Sequence, residues 1–297
     1  MQGGLSVLIP VFNRDVSPLT NSIIRQASAW AGPVEILLFD DGSAEKYQLP
    51  NRPLGELERV VYHELPQNVG RAAMRNKLVA AARYEWLLLL DNDSLLPDNE
   101  FLERYAARAG QAHVLIGGTS YEPAPPADPS LYLRWLYGQA REARPAAQRQ
   151  AAPYAQLTVN NALIRAEVLR RFPLDERLTG YGHEDTLFGL ELARAAVPVL
   201  HLDNPVIHDG LEPAATFLAK SEQAVRNLLQ VYRTDGLGTD SRLLQTALRL
   251  QRLGVAGAVR QSLGIIEAQL HRNLLGLHPK LRALDLLKLY WLLRNWR

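Results

Sequence analysis

Residues Trp86-Leu87-Leu88-Leu89-Leu90-Asp91-Asn92-Asp93 form the stretch of sequence that decides the fold. Five consecutive apolar side chains that end in a pair of carboxylates are typical of a strand buried on both faces of a parallel sheet. Similar apolar runs precede it, and stretches rich in helix-forming residues separate them. The runs are Leu5–Val11, 34–39 and 60–62, and the intervening helices are expected at 19–30 and 71–83. This alternation predicts an α/β fold with a Rossmann-like, mostly parallel open sheet flanked by helices.

The second half of the chain is less regular. Two segments, 123–126 and 143–153, have the composition of loops or linkers, and the second is a candidate for a mobile lid. Further strands are expected at 158–163 and 197–202, and further helices at 131–141 and 212–233. Two glycines within 234–240 predict a boundary before the last segment of the chain.

Composition narrows the class of protein. The chain has 297 residues, 47% of them hydrophobic, and no cysteine, which excludes a disulfide scaffold, a zinc–thiolate site and a cysteine nucleophile. Neither a signal peptide nor a membrane-spanning segment is expected, and a cytoplasmic protein fits this pattern. The net charge of +2 hides an asymmetry, because 240–297 carries ten Lys and Arg against three acids, or +7, and the remainder carries −5.

Two acidic clusters follow two of the predicted strands. Asp40-Asp41-Gly42-Ser43 comes after 34–39, and Asp91-Asn92-Asp93 comes after Trp86–Leu90. Ligands of open parallel sheets bind at the carboxyl ends of the strands, so both clusters should lie on one edge. The spacing of Asp91 and Asp93 suits a divalent cation with oxygen ligands, Mg²⁺ or Mn²⁺. Asp40-Asp41 alone also has a simpler interpretation, an Asx turn.

Three further motifs each allow two interpretations. Arg71 and Arg75, four residues apart at the start of a helix, would hold a pyrophosphate or form a solvated basic face. Glu184 and Asp185 precede an amphipathic helix, where carboxylates complement the helix dipole or act as a general base. His208 is either structural or the imidazole ligand of a metal.

In this order, the motifs resemble glycosyltransferase family 2, the inverting nucleotide-sugar transferases with the GT-A fold. The resemblance spans residues 5–230, and it implies a GT-A catalytic domain over 1–233 followed by a basic, largely helical extension over 240–297. The matching segments are Ile9-Pro10-Val11-Phe12-Asn13-Arg14, Asp40-Asp41-Gly42-Ser43, Asn68-Val69-Gly70-Arg71 with Arg75-Asn76, Leu90-Asp91-Asn92-Asp93, Gly182-His183-Glu184-Asp185 and His208.

The resemblance also implies a role for each matching position. The residues expected to bind the nucleotide sugar are Pro10, Phe12, Asn13, Arg14, Asp40, Asp41, Asn68, Arg71, Arg75, Asp91 and Asn92. Asp93 would be the direct ligand of Mn²⁺ or Mg²⁺, with Asp91 and His208 beside it. Asp185 would be the catalytic base, with Glu184 as the alternative, and the acceptor would meet Asn161, Gly182 and His183. The implied acceptor is a glycan or a lipid-linked sugar of surface polysaccharide or glycolipid synthesis.

Two other functions are alternatives to this interpretation. A phosphohydrolase of the haloacid dehalogenase type would use Asp91 as its nucleophile, but its motif usually follows the first strand and continues with Thr or Val. Here the motif follows a fourth strand and continues Ser94-Leu95. The second alternative is an inactive GT-A domain that serves as a binding or scaffold protein. A Rossmann dehydrogenase and a P-loop enzyme are excluded, because neither glycine-rich motif is present.

The basic tail needs a separate explanation. In a helical wheel of 242–255, the residues Arg242, Gln245, Arg249 and Arg252 share one side, and Leu244, Ala247, Leu248 and Val255 share another. Residues 280–297 mix Leu, Tyr and Trp with basic side chains. Such a tail would bind an anionic membrane, which would put the protein at the inner face of the cell membrane, or its helices would pack on the catalytic domain. A nucleic-acid partner is not expected, because no base-reading motif accompanies the charge.

Overall fold

The computed structural model describes residues 3–177, 182, 184–239 and 241–296. By their internal contacts they form two compact units. The first unit comprises Met1–Glu122, Glu142–Thr179 and Glu184–Gly210, and the second comprises Pro123–Arg141, Gly180–His183 and Leu211–Arg297. The expected domain limits at 233 and 240 stay a prediction.

The first unit is built on a seven-stranded sheet. Its strand order is β3-β2-β1-β4-β8-β6-β9, and only β8, among the described strands of this sheet, runs antiparallel to both neighbours. A three-stranded sheet, β5-β10-β7, lies beside it in the same unit. The strands are β1 Leu5–Val11, β2 Val34–Asp40, β3 Val60–Glu64, β4 Trp86–Leu90, β5 Ser94–Leu95, β6 Val114–Ile116, β7 Thr119–Ser120, β8 Asn161–Arg165, β9 Val199–His201 and β10 Val206–His208.

Helices cover both faces of the large sheet. The alternation of side chains along β1 and β4 feeds two cores, so that Leu88 and Leu90 join one and Leu87 and Leu89 join the other. This burial on both faces explains why the strand sequences are unbroken apolar runs. The mostly parallel sheet that the sequence predicts is confirmed.

Among the described residues there are twelve α-helices. The helices of the first unit are α1 Ser17–Gln26, α2 Glu45–Asn51, α3 Arg71–Ala81, α4 Phe101–Ala106, α6 Ala146–Gln150, α7 Ala166–Arg171 and α8 Glu184–Arg194. Those of the second unit are α5 Tyr132–Tyr137, α9 Ala214–Asp235, α10 Arg242–Arg252, α11 Ala256–Leu274 and α12 Leu281–Arg294.

Register places the functional loops at one edge of the large sheet. β1, β2 and β4 run parallel, with Val11 opposite Asp40. Antiparallel pairing with β8 sets Leu90 opposite Asn161. The small sheet pairs Ser94 with His208. The loops that follow β1, β2 and β4 therefore emerge together.

The segment 143–153 differs from the loop or lid that its composition predicts. It contains α6, whose Arg149 side chain is buried. The Arg149 guanidinium donates to the carbonyl oxygens of Ile116, Gly117 and Leu202 at 2.6–3.1 Å. The carbonyls of Ile116 and Gly117 also accept from the backbone N–H groups of Leu202 and Asn204, so the buried cation adds to these contacts and holds the segment against the ends of β6 and β9.

The second unit has a core of its own, formed by apolar side chains of α5, α9, α10, α11 and α12. The predicted amphipathic helix is present: Leu244 and Ala247 are buried in this core, and Arg242 and Arg249 are exposed. The helix ends at Arg252, so Val255 lies beyond it and is exposed. The apolar side of α10 is therefore occupied by protein.

No helix within 3–177, 184–239 or 241–296 combines the length and the hydropathy that crossing a bilayer requires.

Candidate active site

Asp91, the first carboxylate after β4, is held by the two arginines that begin α3. Arg75 Nη2 lies 2.5 Å from Asp91 Oδ1, and Arg71 Nη2 lies 3.1 Å from Oδ2. Burial acts to raise the pKa of Asp91, but the two guanidinium charges outweigh it and hold that pKa below its ordinary value. Asp91 is therefore ionised, and both members of the expected basic pair contact it, Arg75 from a buried position and Arg71 from an exposed one.

The loop that precedes α3 is tied to the end of β2. Asp41 accepts hydrogen bonds from the backbone N–H groups of Val69, at 2.6 Å, and Gly70, at 3.3 Å. Asn68 Oδ1 accepts a second bond from Gly70 N, at 3.1 Å. Gly70 has a φ of +91°, which a residue with a Cβ rarely adopts, so the turn into α3 depends on this glycine. Asp41 thus sets the position from which Arg71 and its neighbours reach the site.

Asp40 is buried deeper than Asp41. Its carboxylate accepts from Ser43 N, at 2.7 Å, and from the Tyr62 hydroxyl, at 3.2 Å. The Ser43 contact is an Asx-type turn, which is the simpler interpretation that the sequence left open. Burial raises the pKa of Asp41, and its two backbone donors oppose that rise. The nucleotide contacts expected of Asp40 and Asp41 stay predictions.

The loop after β1 completes this part of the edge. Asn13, at a φ of +50°, donates from its backbone N to Ser43 Oγ and accepts from Ala44 N at its side-chain oxygen, 2.8 and 2.9 Å away. Asn92 Nδ2 donates to the carbonyl oxygen of Phe12, at 3.2 Å. The Phe12 ring is about half exposed, and Pro10 is half-buried at the end of β1. The polar contacts fix the loop after β1, and the Phe12 ring stays partly exposed to solvent.

Asp93 and His208 come together through the small sheet. Asp93 Oδ2 lies 3.5 Å from His208 Nε2, and the imidazole stacks on the Tyr121 ring with centroids 5.2 Å apart. Gly210 is packed so closely that a Cβ there would lie 2.4 Å from Asp93 Oδ2. A carboxylate oxygen and an imidazole nitrogen are donors that suit Mn²⁺, so this pair fits a divalent cation whose other ligands come from elsewhere. Within the described part of the chain, no cluster of three or more His, Asp or Glu side chains forms a complete site.

Arg14 lies next to this pair. Its guanidinium forms an ion pair with the Asp209 carboxylate and donates to the Asp209 carbonyl, at 2.9 Å. Asp209 N in turn donates to the carbonyl of Asp93, at 2.8 Å. Arg14 therefore joins the loop after β1 to the strand that carries His208.

Asp185 sits in the first turn of α8, facing the same group of charges. Burial raises its pKa to about 6; the charges of Glu184 and Asp91 add to the rise, and those of Arg75 and Arg71 oppose it. Its Oδ2 accepts a 3.3 Å bond from Val159 N, and the residue as a whole is half-buried. Glu184 is more deeply buried. A half-buried aspartate whose pKa is raised to about 6 is suited to take up a proton.

Asn161, predicted to meet the acceptor, is fully buried. Its Nδ2 donates to the carbonyls of Gly118 and Asn204, at 2.8 and 2.9 Å, and its Oδ1 accepts from the Tyr105 hydroxyl, at 2.8 Å. This side chain is therefore committed to holding β8 and the adjoining loops together.

Gly182, the second predicted acceptor residue, belongs to the second unit, where its carbonyl accepts from Asn227 at 3.4 Å. His183, the third, lies outside the described residues.

Asn160 is a polar residue of the site whose role the sequence does not reveal. Its carbonyl accepts from Asp91 N, at 3.1 Å, and its Nδ2 lies 2.8 Å from Thr119 Oγ1. The Oδ1 atom is buried and has no hydrogen-bond partner among the described residues. The pair Asn160-Asn161 is visible in the sequence, but only the strand register shows which of the two faces the site.

Comparisons with known proteins point to one family. The family model for glycosyl transferase family 2 matches residues 6–171. An uncharacterized glycosyltransferase of Haemophilus influenzae is 28% identical over 118 residues, which are 39% of this chain and 46% of the relative. The match thus spans about half the length of that relative.

Two solved structures share the fold at low sequence identity. Mannosyltransferase PcManGT from Pyrobaculum calidifontis, in complex with GDP-Man and Mn²⁺, gives a TM-score of 0.60 with 14% identity, over 99% of this chain and 86% of that chain. Glucosyl-3-phosphoglycerate synthase from Mycobacterium tuberculosis, in complex with Mn²⁺, UDP-Glc and glycerol 3-phosphate, gives 0.53 with 17% identity, over 76% and 79%.

The sequence motifs, the open sheet and the family match all point to one class of enzyme. The family model covers more than half of the chain, whereas the phosphohydrolase alternative would need Asp91 as a nucleophile, and that carboxylate is bridged by two arginines. The chain belongs to glycosyl transferase family 2 and has the GT-A fold.

Proposed function

We propose that this protein transfers a sugar from a nucleoside-diphosphate donor to an acceptor hydroxyl with inversion at the anomeric carbon, and that Asp185 is the base. The observation that carries the proposal is the pairing of two carboxylates with opposite environments. Asp91 is held ionised by Arg71 and Arg75, and burial raises the pKa of Asp185 to about 6. Such a separation of pKa values within one site is typical of acid–base assignments in enzymes.

The chemistry then follows in a single displacement. Asp185 accepts the proton of the acceptor hydroxyl while the hydroxyl oxygen forms a bond to the anomeric carbon. The bond between that carbon and the diphosphate oxygen breaks on the opposite face, and its electron pair leaves with the nucleoside diphosphate. Attack from the face opposite the leaving group inverts the anomeric configuration.

Two sets of residues would receive the donor. The nucleoside would rest against the loop after β1, at Phe12 and Asn13, and the charged part would lie near Asn68, Arg71 and the carboxylates after β4. Arg71 is the more exposed of the two arginines on Asp91, with 44% of its side chain accessible against 6% for Arg75. Arg71 can therefore turn from Asp91 to a diphosphate while Arg75 keeps Asp91 in place.

Asp93 and His208 would hold a divalent cation, Mn²⁺ or Mg²⁺. Such an ion offsets the negative charge that develops on the departing diphosphate. The 3.5 Å approach of the two side chains supports this role, because one ion can contact both after a small movement. Asp91, committed to two arginines, would act on the ion through charge rather than as a ligand.

The acceptor is proposed to be a glycan or a lipid-linked sugar of surface polysaccharide or glycolipid synthesis. The basic helices of 240–297 are proposed to associate peripherally with an anionic membrane, at the inner face of the cell membrane. Support comes from their arginines: Arg242, Arg249 and Arg252 are exposed and have no acidic partner among the described residues.

Donor turnover by purified protein tests the proposal. Nucleotide sugars are screened with and without Mn²⁺ for nucleoside-diphosphate release, and the anomeric configuration of the product is read by NMR. We expect metal-dependent release, an inverted product, and loss of turnover in Asp185→Asn with donor affinity retained. Asp98→Asn, which alters a surface carboxylate paired with Arg104, is the matched control. A retained configuration, or full turnover by Asp185→Asn, contradicts the mechanism.

A further inference from the structure

Solvent-exposed apolar side chains cluster along α11 of the second unit. Ile265, at the middle of this helix, is 80% exposed. At the turns that begin and end the helix, Leu253 and Leu277 are 63% and 69% exposed. Large apolar groups this exposed on one element are typical of a surface with a partner.

The outward face of α11 has no acidic residue. The acid of this helix, Glu267, lies on the inner side, half-buried and 3.6 Å from Arg294. The exposed positions of the helix are Gly257, Ala258, Gln261, Ser262, Ile265, Ile266, Ala268, Gln269 and Arg272. Over 19 residues, or about 28 Å of helix, this face offers apolar or small uncharged groups and one arginine.

Unpaired basic residues surround this face. Arg249 and Arg252 precede the turn at Leu253, and Arg272 and Lys280 flank the turn at Leu277. Among the described residues, none of these four has an acidic partner within 4 Å. The other acid of the described C-terminal helices, Asp285, is paired with Arg141 at 2.9 Å. The rim therefore keeps its positive charge.

From these observations we infer that the outward face of α11, with the turns at its two ends, docks on an anionic lipid bilayer. The proposal deepens the proposed membrane association and rests on it, because it names the surface. Apolar side chains ringed by arginine and lysine match a bilayer interface, where the apolar groups enter the acyl boundary and the cations meet phosphate. A second copy of the chain is disfavoured, because it would bring the same unpaired cations face to face.

The inferred surface differs from the one that helical periodicity suggests. In α10 the apolar side is buried in the core of the second unit, so it has no apolar group to insert. Only its exposed arginines near the turn at Leu253 contribute. The docking face is instead carried by α11, which has Ile265 and Ile266 on its outward side, where a soluble helix usually has charged residues.

Flotation of the full-length protein with lipid vesicles tests the inference. We expect binding to vesicles of phosphatidylcholine mixed with phosphatidylglycerol, and little binding to phosphatidylcholine alone. The double variant Leu253→Glu with Ile265→Glu should lower the partition coefficient about ten-fold or more. Replacing Arg249 and Arg252 with Gln should lower it about five-fold for each charge. Leu49→Glu, which changes a 55% exposed leucine of the first unit, should bind as the wild type does.

Three outcomes overturn the inference: equal binding to neutral and anionic vesicles, equal loss in Leu49→Glu, or no vesicle binding by the wild type. The inference is also overturned if the same face retains an acidic protein or a nucleic acid but the protein does not bind vesicles. Donor turnover in vesicle-free solution is measured on every variant and should be unchanged. Failure of turnover in the wild type with normal flotation rejects the transferase mechanism alone, so the two failures are distinct.

Discussion

Replacing Asp185 with Asn is expected to abolish transfer and, at a pH above 6, to raise the free energy of unfolding. Burial is the main reason that the folded protein raises the pKa of Asp185 from its ordinary value of 3.8 to about 6. A carboxyl whose pKa is raised on folding is harder to ionise in the folded state than in the unfolded chain. Stability is therefore lost as the pH rises from below 3.8 through 6, and above that range the whole penalty is present.

The size of the effect follows from the shift. A pKa difference of one unit corresponds to about 1.4 kcal/mol, so ionising Asp185 in the folded protein costs up to about 3 kcal/mol. The residue is half-buried rather than fully buried, and screening by solvent reduces this figure. Asn cannot ionise, and its side-chain oxygen can still accept the bond from Val159 N. The variant should gain most of that free energy at pH 8 and almost none at pH 4.

Two measurements check this expectation. Urea denaturation of the wild type and Asp185→Asn at pH 8 and pH 4 gives the difference in the free energy of unfolding. The pH profile of the wild-type kcat/KM should fall by half near pH 6 and to about a tenth near pH 5, because only the carboxylate accepts a proton.

The control variant Asp98→Asn should change the free energy of unfolding in the opposite direction. The hydrogen bond from Arg104 holds the pKa of Asp98 below its ordinary value, so Asp98→Asn should lose stability at pH 8 and lose less at low pH. An Asp185→Asn protein that is no more stable than wild type at pH 8, or a profile flat down to pH 4.5, would refute the reasoning.

Three further outcomes follow from the contacts of single residues. Asp93→Ala should weaken Mn²⁺-dependent donor binding; calorimetry with and without the metal measures it, and an unchanged affinity in Mn²⁺ would exclude Asp93 as a ligand. Arg75→Met should raise the pKa of Asp91 and also that of Asp185, so the acid limb of the pH profile should move above 6; an unmoved limb would show that Arg75 does not act on the base. Arg149→Met should lower the free energy of unfolding by about 1–3 kcal/mol, because it removes the buried guanidinium hydrogen bonds to three carbonyls; a loss below 0.5 kcal/mol on urea denaturation would contradict that accounting.

The sequence predicts the fold well where burial dominates. Both Leu5–Val11 and Trp86–Leu90 have the predicted limits. Strands inside a parallel sheet are apolar on both faces and stop where the loop becomes polar, and both features are local. Near the antiparallel strand the limits shift, from the expected 158–163 to Asn161–Arg165, because pairing with β4 and β6 decides them.

The sequence predicts which residues meet at the edge of the sheet better than how they pair. It brings Asp91 and Arg75 into one site, but the ion pair depends on the position of α3, which Asp41 sets through a loop 28 residues away. Side-chain orientation at Asn160 and Asn161 depends on register. The burial of Arg149 depends on carbonyls from two other strands. No local pattern encodes these long-range contacts.

The charges of the candidate site give its two carboxylates, Asp91 and Asp185, different pKa values, and this difference supports the distinct roles proposed for them. Arg75 lies within electrostatic range of both Asp91 and Asp185, and it lowers both pKa values, yet one carboxyl falls below its ordinary pKa and the other rises above it. The difference is direct contact: Asp91 receives guanidinium hydrogen bonds, whereas Asp185 receives one backbone N–H. A carboxylate that two cations hold cannot serve as a base near neutral pH, because protonating it would break both contacts. Asp185, whose pKa is about 6, is therefore the better candidate for the proposed exchange of a proton with an acceptor hydroxyl.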